Sequence, residues 1–489
     1  MNTLVSYSNL FAITLPETIL EAVSLLVLIV DLAWLRKAAQ ATRMATACAL
    51  GVVGCVAAIL WLLSHTDTES FAGGALVATP LVAAVQIGIV ILTALVLLLS
   101  VKAEFSRNPG EFVAIVLLAT TGMMLVTAAR DLLIIFVALE LLSLSLYVLT
   151  AFAKSSAQSS EAALKYYLFG GMSAAFMLFG FSYLYGLTGT TNLSQMTYLL
   201  SGEETLPLAI VAFVLIAAGL GFKVAAVPFH LWAPDTYQGA PAPVTALIAS
   251  GSKVASFALL VAVTEGFVAP PSSETTGHSL WIVLLLTMAA GSIALGNLAA
   301  LAQTSVRRLL AYSAIAHAGY MLLGIAAHTP QSGAAVLYYA LTYALTTVGA
   351  FGVIAIVERA TGSDRLDAFA GLSRRNPLLA ATMLVFLLSL AGIPPLVGFW
   401  AKFNLFAAVL RAPTAASWSL TLVILALAAS AVSLYYYLQV LKRVYVVKSA
   451  KTEPMPASFV ELATLAAIAL AVLLFGIFPG LLSAWIPLG

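Results

Sequence analysis

The chain has 489 residues, of which 62% are hydrophobic and only 9% are charged. A soluble domain averages about 25% charged residues, so this composition excludes a soluble globular protein and places the chain in a lipid bilayer. Two cysteines, Cys48 and Cys55, lie among apolar residues and are predicted to be small packing residues. No nucleic-acid partner is expected.

Short motifs for cofactor binding are absent from the sequence. It has no Walker loop, no Gly-x-Gly-x-x-Gly after a strand and no Cys-x-x-Cys pair for an iron–sulfur cluster. We therefore expect no cofactor and no metal site in this chain, and any electrons that drive it must pass through another chain. The N-terminal stretch has neither a basic region nor a small-residue cleavage site, so a removable signal peptide is not predicted.

Apolar runs long enough to cross a membrane, which takes about 20 residues, occur 14 times along the chain. They predict an all-α polytopic membrane protein of 14 transmembrane helices. The predicted spans are, in order, residues 11–33, 43–63, 78–101, 110–128, 131–153, 163–187, 207–229, 242–264, 280–302, 307–327, 332–357, 377–400, 418–441 and 457–486.

Lysine and arginine are distributed unevenly between the loops that join these spans. The odd-numbered loops hold 16 of the 22 basic residues, and the even-numbered loops hold only Arg130 and Arg411. Cytoplasmic loops carry the excess of Lys and Arg, so we expect the odd-numbered loops in the cytoplasm and both termini on the non-cytoplasmic side. The regular alternation supports the number of spans independently of hydropathy.

The four remaining basic residues, Lys165, Lys223, Lys253 and Lys402, are all lysines inside predicted spans. An ionisable group at membrane depth is costly and indicates a functional site. Arginine stays charged in proteins, whereas a lysine removed from water can release its proton. We therefore predict that these lysines carry protons. The alternative is that each lysine pairs with a carboxylate and only fixes helix packing.

Three further ionisable residues inside or next to spans complete the candidate site. Glu140 has no other charge within eight residues, and Lys165 is the nearest basic residue in sequence that could pair with it. Such a pair, if it opened and closed, would act as a proton gate. His230 follows Lys223 by seven residues and His317 is in the middle of a span. Imidazole titrates near neutral pH and suits a proton relay, although a histidine also serves as a hydrogen-bonded packing residue.

The sequence repeats itself at a separation of 173 residues, where Thr188–Gly189 matches Thr361–Gly362. This match predicts two related units of five spans each. An odd number of spans requires that the two units have opposite orientations in the membrane. In this register Glu140 falls on Ser313, one helical turn before His317.

Prolines interrupt the seventh and twelfth spans. The stretch GFKVAAVPFHLWAPD carries Pro228 and Pro234 after Lys223, and the stretch SLAGIPPLVGFWAKF carries Pro394–Pro395 before Lys402. Proline removes a backbone donor and disrupts a helix interior, so each unit is predicted to contain a broken helix. Broken helices at mid-depth expose backbone groups and admit water, which makes ion sites possible there. A simple packing kink is the alternative.

These two stretches, together with ALELLSLSLYVLTAF and EAALKYYLFGGMSAAFMLFGFSYLYGLTGTTNL, resemble the antiporter-like membrane subunits of respiratory complex I, the proton-translocating NADH:quinone oxidoreductase. The resemblance covers essentially the whole chain and is greatest to the subunit N family. A lysine at position 402 favours this family over subunit M, which is expected to carry a glutamate there. The resemblance implies 14 helices with two inverted five-helix repeats, each containing a broken helix.

The resemblance also implies a role for each candidate residue. Glu140 and Lys165 would form the pair of the first repeat, Lys223 the central lysine, Lys253 the connecting residue, His230 and His317 relay members, and Lys402 the terminal lysine. Flavin and iron–sulfur clusters are then expected in partner subunits, with quinone as the substrate of the complex. Expected partners are the antiporter-like subunit M, the small subunits K and J, and the lipid of a bacterial inner membrane.

The predicted division of the chain has four parts. They are a three-helix segment (1–105), a first repeat (106–270), a second repeat (279–412, broken helix at 389–403, continuing through 418–446) and a last helix (457–489). Two other functions stay open at this point. One is a subunit of a multi-subunit Na⁺/H⁺ antiporter built on the same fold, and the other is a structural membrane scaffold.

Overall fold

The computed structural model describes residues 7–65, 68–105, 107–200, 207–268, 280–412, 418–449 and 453–486. The helices of the first part are α1 (Tyr7–Ile29, extended by a π-helical turn, Val30–Trp34), α2 (Gln40–Ser64), α3 (Pro80–Ser100), α4 (Pro109–Ala128), α5 (Leu132–Thr150), α6 (Ala157–Thr188), α7 (Leu193–Leu200), α8 (Pro207–Val224), α9 (Trp232–Gly239), α10 (Ala242–Ala249) and α11 (Gly251–Phe267).

The second part begins at residue 280. Its helices are α12 (Leu280–Leu301), α13 (Val306–Ala326), α14 (Pro330–Thr361), a 3₁₀ turn (Leu366–Phe369), α15 (Leu372–Arg375), α16 (Pro377–Ala391), α17 (Val397–Arg411), α18 (Trp418–Tyr445), α19 (Phe459–Ile477) and α20 (Gly480–Ser483). The predicted segment ends at residues 1, 106, 270, 279 and 489 lie outside the described residues.

Thirteen segments of the described residues are long and apolar enough to cross a membrane. The remaining predicted span, the twelfth, at 377–400, is divided between α16 and α17, which have 15 residues each. A 15-residue helix is about 23 Å long at 1.5 Å per residue, shorter than the hydrocarbon core of about 30 Å. The prediction of an all-α membrane bundle is confirmed, with 13 of the 14 predicted spans in helices of full length and the twelfth divided between two shorter helices.

Side-chain oxygens cap the N-termini of seven helices in the described part of the chain. Each capping residue accepts a hydrogen bond from a backbone N–H in the first turn, which lipid could not satisfy. The capping residues are Thr79, Asp131, Ser156, Ser305, Thr329, Asn376 and Ser458. Most of these residues come directly before an apolar run, so the helix starts follow from local sequence.

The two inverted five-helix repeats are visible in matching helix lengths and caps. The helices α6 and α14 both have 32 residues, and they begin and end 173 residues apart. Each ends at a left-handed glycine, Gly189 at φ 70° and Gly362 at φ 73°. A β-carbon is disfavoured at positive φ, which explains why glycine occurs at both ends. The repeat read from the sequence therefore corresponds to a repeat in the backbone.

The seventh span is broken, but only one of its two prolines lies in the break. The helix α8 ends at Val224, and the next residue, Ala225, has φ 57°. Pro228 lies in the connecting segment, and its bond to Val227 is cis. Pro234 lies in the first turn of α9, where the missing N–H has no partner to lose. The interpretation of Pro234 as a helix breaker is therefore wrong.

The twelfth span is broken where the sequence predicts. The helix α16 ends at Ala391, Gly392 follows at φ 88°, and α17 begins at Val397. Pro394–Pro395, joined by a cis bond, lies between the two helices.

A third break was not predicted. It divides the eighth span at Ser250, which has φ −119° and ψ −91° and separates α10 from α11. Its counterpart in the second repeat, α18, is continuous over 28 residues.

A small hairpin is the one departure from the all-α prediction among the described residues. Strands β1 (Glu69–Phe71) and β2 (Leu76–Ala78) pair antiparallel between α2 and α3, with Ser70 opposite Val77. The two cysteines are buried and free, which confirms that they pack in the apolar interior.

Candidate proton pathway

Three of the four lysines inside spans are buried at helix breaks. The exposed fractions of Lys223, Lys253 and Lys402 are 9%, 2% and 7%. Lys223 is the penultimate residue of α8, and Lys253 lies in the first turn of α11. Lys402 lies in α17, just after the twelfth-span break. Two of these ammonium groups, those of Lys253 and Lys402, donate to backbone carbonyls at the breaks.

Lys223 faces the middle of the fifth span. Its Nζ donates a hydrogen bond to Ser143 Oγ at 2.5 Å. Glu140 lies one helical turn before Ser143, and its carboxylate is close enough to act electrostatically on Lys223. One carboxylate oxygen of Glu140 is buried and has no hydrogen-bond partner within the described residues. Glu140 and Lys223 therefore interact electrostatically, and no hydrogen bond joins them within the described residues.

The predicted pair between Glu140 and Lys165 is wrong in this structure. Lys165 donates instead to Asp235 at 2.7 Å and forms an ion pair with Glu161 at 2.7 Å. Arg308 donates to the other oxygen of Asp235 at 2.5 Å. Lys165 and Asp235 retain 39% and 31% of their side-chain exposure. Partial hydration at this end of α6 makes a charged pair less costly there than at membrane depth, which explains the preference.

Asp235 lies between two cations in the segment that connects the seventh and eighth spans. Burial by itself would raise the pKa of Asp235, but the hydrogen bonds from Lys165 and Arg308 hold that pKa below its usual value. Asp235 therefore carries a negative charge at neutral pH. It fixes α9 to both α6 and the start of α13.

Arg307 secures the same segment from the neighbouring position. This residue is 2% exposed, and its guanidinium donates to the carbonyls of Tyr237, at 2.8 Å, and Ala240. It also donates to both carboxylate oxygens of Glu358 at 3.1 Å. Sequence analysis counted Arg307 only as a loop charge that orients the bundle. The missed signal was an arginine two residues after the helix cap Ser305, in a loop that contains no acid to pair with it.

Lys253 connects the two repeats. Its Nζ donates to the carbonyl of Val224 at 3.1 Å and to the carbonyl of Ala314 at 3.0 Å. Val224 directly follows Lys223 at the end of α8, and Ala314 lies one turn before His317 on α13. One ammonium group thus touches the backbone beside the key lysine of the first repeat and the backbone beside the histidine of the second.

Lys402 has only neutral partners. Its Nζ donates to the carbonyls of Leu390 at 3.1 Å and Ala391 at 2.8 Å, and to Ser430 Oγ at 2.7 Å. These two carbonyls belong to the last turn of α16, which the break leaves without helical donors. A β-carbon at Gly392 would lie 2.9 Å from the Lys402 side chain. Glycine at position 392 therefore allows the positive φ of the turn and leaves room for the Lys402 side chain.

His317 lies next to Lys402 in a cluster of hydroxyl groups. Its Nδ1 lies 2.7 Å from the Tyr339 hydroxyl and its Nε2 lies 3.3 Å from the Tyr437 hydroxyl. Tyr437 is also 2.5 Å from Ser313 Oγ, the position that matches Glu140 in the first repeat. His317 and Lys402 both line a cavity of about 10 Å³, room for roughly one water. The structure thus brings these two predicted residues together.

His230 is not joined to this set. It is 7% exposed in the segment between α8 and α9, and its Nδ1 is buried without a hydrogen-bond partner among the described residues. No hydrogen bond links it to Lys223 in the described part of the chain. Its relay role stays a prediction.

Several hydroxyl residues that hold the pathway together were not found from the sequence. They are Ser143, Tyr339, Ser430 and Tyr437. Single hydroxyls are common inside apolar helices, where they usually bond to the preceding turn, so nothing in the local sequence distinguishes these four. Among the described residues, no group of three or more His, Cys, Asp and Glu side chains is arranged to hold a metal.

Comparisons with known proteins agree over nearly the full length. A family model described as NADH:quinone oxidoreductase/Mrp antiporter, TM, matches residues 129–431. NADH-quinone oxidoreductase subunit N 2 of Acidobacterium capsulatum is 50% identical over 495 residues, covering 99% of each chain. A chain of respiratory complex I from Thermus thermophilus with bound aureothin has a TM-score of 0.80 at 35% identity, covering 97% of this chain and 100% of that one.

A more distant solved structure shows the same fold. A chain of the Mrp complex from Dietzia sp. DQ12-45-1b superposes with a TM-score of 0.82 at 21% identity, covering 97% of this chain and 96% of that one.

Proposed function

Because this chain belongs to the NADH:quinone oxidoreductase/Mrp antiporter transmembrane family, within its subunit N group, we propose that it moves protons through its buried Glu, Lys and His residues. It is a multi-span membrane subunit of a bacterial respiratory complex I and acts within that multi-subunit complex. It contributes to a proton-translocating NADH:quinone oxidoreductase, in which quinone reduction in other subunits drives the transfer.

The contact that carries the proposal is the bridge made by Lys253. Its Nζ reaches the carbonyl of Val224 in the first repeat and the carbonyl of Ala314 in the second. A protonatable amine at this junction lies between Lys223 on one side and His317 on the other. A purely structural role would be filled equally well by a neutral donor, whereas a lysine can also pass a proton on.

The order of residues along the path follows from these contacts. A proton held between Glu140 and Lys223 passes to Lys253, then to His317, and through the cavity beside it to Lys402. Ser143, Tyr339 and Tyr437 supply the intervening hydroxyls. Each transfer needs a change in the local electrostatic field, because moving one charge across the membrane costs about 2.3 kcal/mol per 100 mV.

The change in the local electrostatic field begins with the ion pair between Lys165 and Asp235. Lys165 is held by Asp235 in this structure, and α9 carries Asp235 at the far side of the break from Lys223. Release of Lys165 would allow it to move, and the charge felt by Glu140 and Lys223 would change with it. The predicted gate between Glu140 and Lys165 is therefore replaced by one in which Asp235 is the partner of Lys165. His230, beside the same break, is proposed as a side member of the relay.

Further proposals concern the other subunits of the complex, and they rest on the same family membership. Flavin and iron–sulfur clusters belong in partner subunits, and quinone is the substrate of the complex. The antiporter-like subunit M and the small subunits K and J are the proposed neighbours in the membrane arm. Both termini are placed on the non-cytoplasmic side, a proposal supported by the 16 basic residues in odd-numbered loops against two in even-numbered loops.

The division of the chain into segments is also a proposal. It comprises 1–105, a first repeat (106–270), a second repeat (279–412 with 418–446) and a last helix (457–489). The equal lengths and caps of α6 and α14 support the two repeats. The last helix, α19, packs against α16 and α14 of the second repeat. It follows the five spans of that repeat and is therefore counted separately.

The test is NADH-driven proton uptake in inverted membrane vesicles with matched amounts of complex. Lys223→Ala is expected to lower proton uptake about tenfold or more, a change that corresponds to about 1.4 kcal/mol, while the complex stays assembled. Lys154→Ala, at an exposed loop position, is the matched control and should behave like the native protein. Loss of assembly with Lys223→Ala would show that the lysine only supports packing.

The same family model covers Mrp antiporters, and the fold of an Mrp chain matches this one. A Na⁺/H⁺ antiporter subunit is therefore the second candidate. In the same vesicles, NADH-driven uptake unaffected by Lys223→Ala, together with loss of sodium-driven proton exchange, would support that candidate and contradict the redox-driven one.

A further inference from the structure

A buried carboxyl group lies outside the lysine pathway, in the N-terminal helices. Glu17 on α1 is 3% exposed. Its Oε1 accepts a hydrogen bond from Gln86 Nε2 at 3.0 Å, and the same amide donates to the carbonyl of Met124 at 3.2 Å. The other oxygen of Glu17 is buried and has no hydrogen-bond partner within the described residues. An ionised carboxylate in this position would be largely unsatisfied.

No cation compensates the charge of Glu17 in the described part of the chain. The ionisable neighbour that acts on it is Glu21, one turn further along α1, which would repel a second negative charge. The helices and strands packed against α1 carry charged side chains and histidine only near their ends, and the two thiols in the middle of α2, Cys48 and Cys55, are buried. Asp31 is held by Arg43, Glu111 accepts from Asn108, and His65 and Glu69 lie at the opposite end of the bundle.

A cavity borders Gln86. It has a volume of about 60 Å³, and its mainly apolar wall includes the polar residues Gln86, His65 and Glu69. A single water needs roughly 10–15 Å³ by the same measure, so the cavity has room for several. His65 and Glu69 are exposed to solvent. Gln86 therefore lies between the carboxyl of Glu17 and a cavity with solvent-exposed residues in its wall.

We propose that Glu17 is a second proton-binding site, filled from the non-cytoplasmic side through the cavity that His65, Glu69 and Gln86 line. The sidedness rests on the topology given under the proposed function, since His65 and Glu69 follow the second span. The ligand is a proton, and the bound form is the neutral carboxylic acid. The site is separate from the path through Lys223, Lys253 and Lys402.

The bound proton also determines how α1 is held. Glu17 is the residue of α1 that accepts from α3, and through Gln86 it is tied to α4. Loss of the proton would leave an uncompensated charge beside Glu21 inside the helix bundle. Transport by the complex acidifies the non-cytoplasmic side, so active pumping fills the site and keeps α1 docked.

The test is infrared difference spectroscopy on sealed vesicles, with native protein compared with Glu17→Gln at matched complex content. The glutamine is neutral and nearly isosteric, so the variant is expected to fold and assemble. The native spectrum should contain the carbonyl band of a protonated carboxyl at neutral pH, and the variant should lack it. Glu111→Gln, which changes a glutamate in the first turn of α4, is the matched control and should keep the band.

A pH step tests the route. Raising the pH on the non-cytoplasmic face should diminish the band, and the same step on the cytoplasmic face should leave it unchanged over the same time. Gln86→Leu should slow the response by removing the polar contact between cavity and carboxyl. Absence of the band from native protein, or a response only to the cytoplasmic pH step, would overturn the proposal.

The outcome is independent of the proton pathway. The Lys223→Ala complex should show the same band and the same sidedness even where its pumping is lost. Glu17→Gln, conversely, should leave proton uptake per turnover within about twofold of native. A large loss of uptake in an assembled Glu17→Gln complex would contradict the separation of the two sites.

Discussion

Each repeat places a lysine at a broken helix, but the chemical surroundings of the two lysines differ. Lys223 of the first repeat has the carboxylate of Glu140 and the hydroxyl of Ser143 nearby. Lys402 of the second repeat has two backbone carbonyls and the hydroxyl of Ser430. Where the first repeat has Glu140, the second has Ser313 with His317 one turn further on.

This difference gives the pathway a direction. The first repeat can respond to charge, because a carboxylate next to an ammonium group makes proton sharing sensitive to any third charge that approaches. The second repeat offers neutral acceptors and a histidine, which suit transfer of a proton already delivered. Lys253 contacts both repeats, so under the proposed function we expect the repeats to act in series and not as two equal channels.

The most demanding test of the comparison replaces each key lysine with arginine. Lys223→Arg and Lys402→Arg keep a positive charge but cannot release a proton. We expect each to lower NADH-driven proton uptake by about tenfold or more, as strongly as the alanine variants. Proton uptake is measured in inverted vesicles with matched assembled complex. Near-native pumping by either arginine variant would show that this lysine supplies only charge.

The next test separates the charged partner of the first repeat from its neutral counterpart. Glu140→Gln is expected to lower proton uptake about tenfold, because an interaction of about 1.4 kcal/mol between charge states changes a ratio by that factor. Ser313→Ala, at the matching position of the second repeat, should lower it by about twofold at most. Equal losses in the two variants, measured in the same vesicles, would contradict the assignment of the charge response to the first repeat.

A smaller effect is expected from the ion-pair network that holds α9. The pKa of Asp235 is lowered in the folded protein, so this group stabilises the native state above the unfolded value of about 3.9 and loses that contribution as the pH falls through the lowered value. Asp235→Asn should therefore reduce thermal stability at neutral pH, and the difference from native should shrink in acid. A difference that grows on acidification would contradict the assigned charge.

The smallest expected effect tests the equivalence of the repeats instead of their difference. Gly189→Ala and Gly362→Ala each place a β-carbon at positive φ with no neighbouring atoms within 4 Å. Only backbone strain is then introduced, about 1 kcal/mol in each case. The two variants should shift the thermal midpoint of the complex by the same small amount. A clearly larger shift in one of them would show that the caps are not equivalent.

Much of the fold could be predicted because a bilayer constrains each helix through the length, hydrophobicity and flanking residues of its own segment. Apolar length gave the crossings, and Thr188–Gly189 and Thr361–Gly362 marked equivalent helix ends. The hairpin of β1 and β2 was missed, since three-residue strands leave little pattern in sequence. The break at Ser250 was missed because neither proline nor glycine marks that residue itself, and the glycine directly after it gave no separate signal.

Prediction of the site was less complete. The three buried lysines and His317 were found because an ionisable group inside a span is conspicuous. The partner of Lys165 was wrong, because Asp235 lies 70 residues away in sequence and proximity along the chain favoured Glu140. Tyr437 lies 120 residues after His317 in sequence, and Ser430 lies on the span that follows Lys402. Neither contact could be predicted from proximity along the chain.

The sequence by itself determined which lysines lie inside predicted spans, because a basic residue is conspicuous against the apolar background, but it did not single out the buried Glu17. It also determined where helices start, since caps and prolines act on their own neighbours. The tertiary structure alone decided which of those groups meet. Contacts between helices depend on how each helix is rotated and where it is broken, and Lys253 reaches both Val224 and Ala314 only because two spans are interrupted beside it.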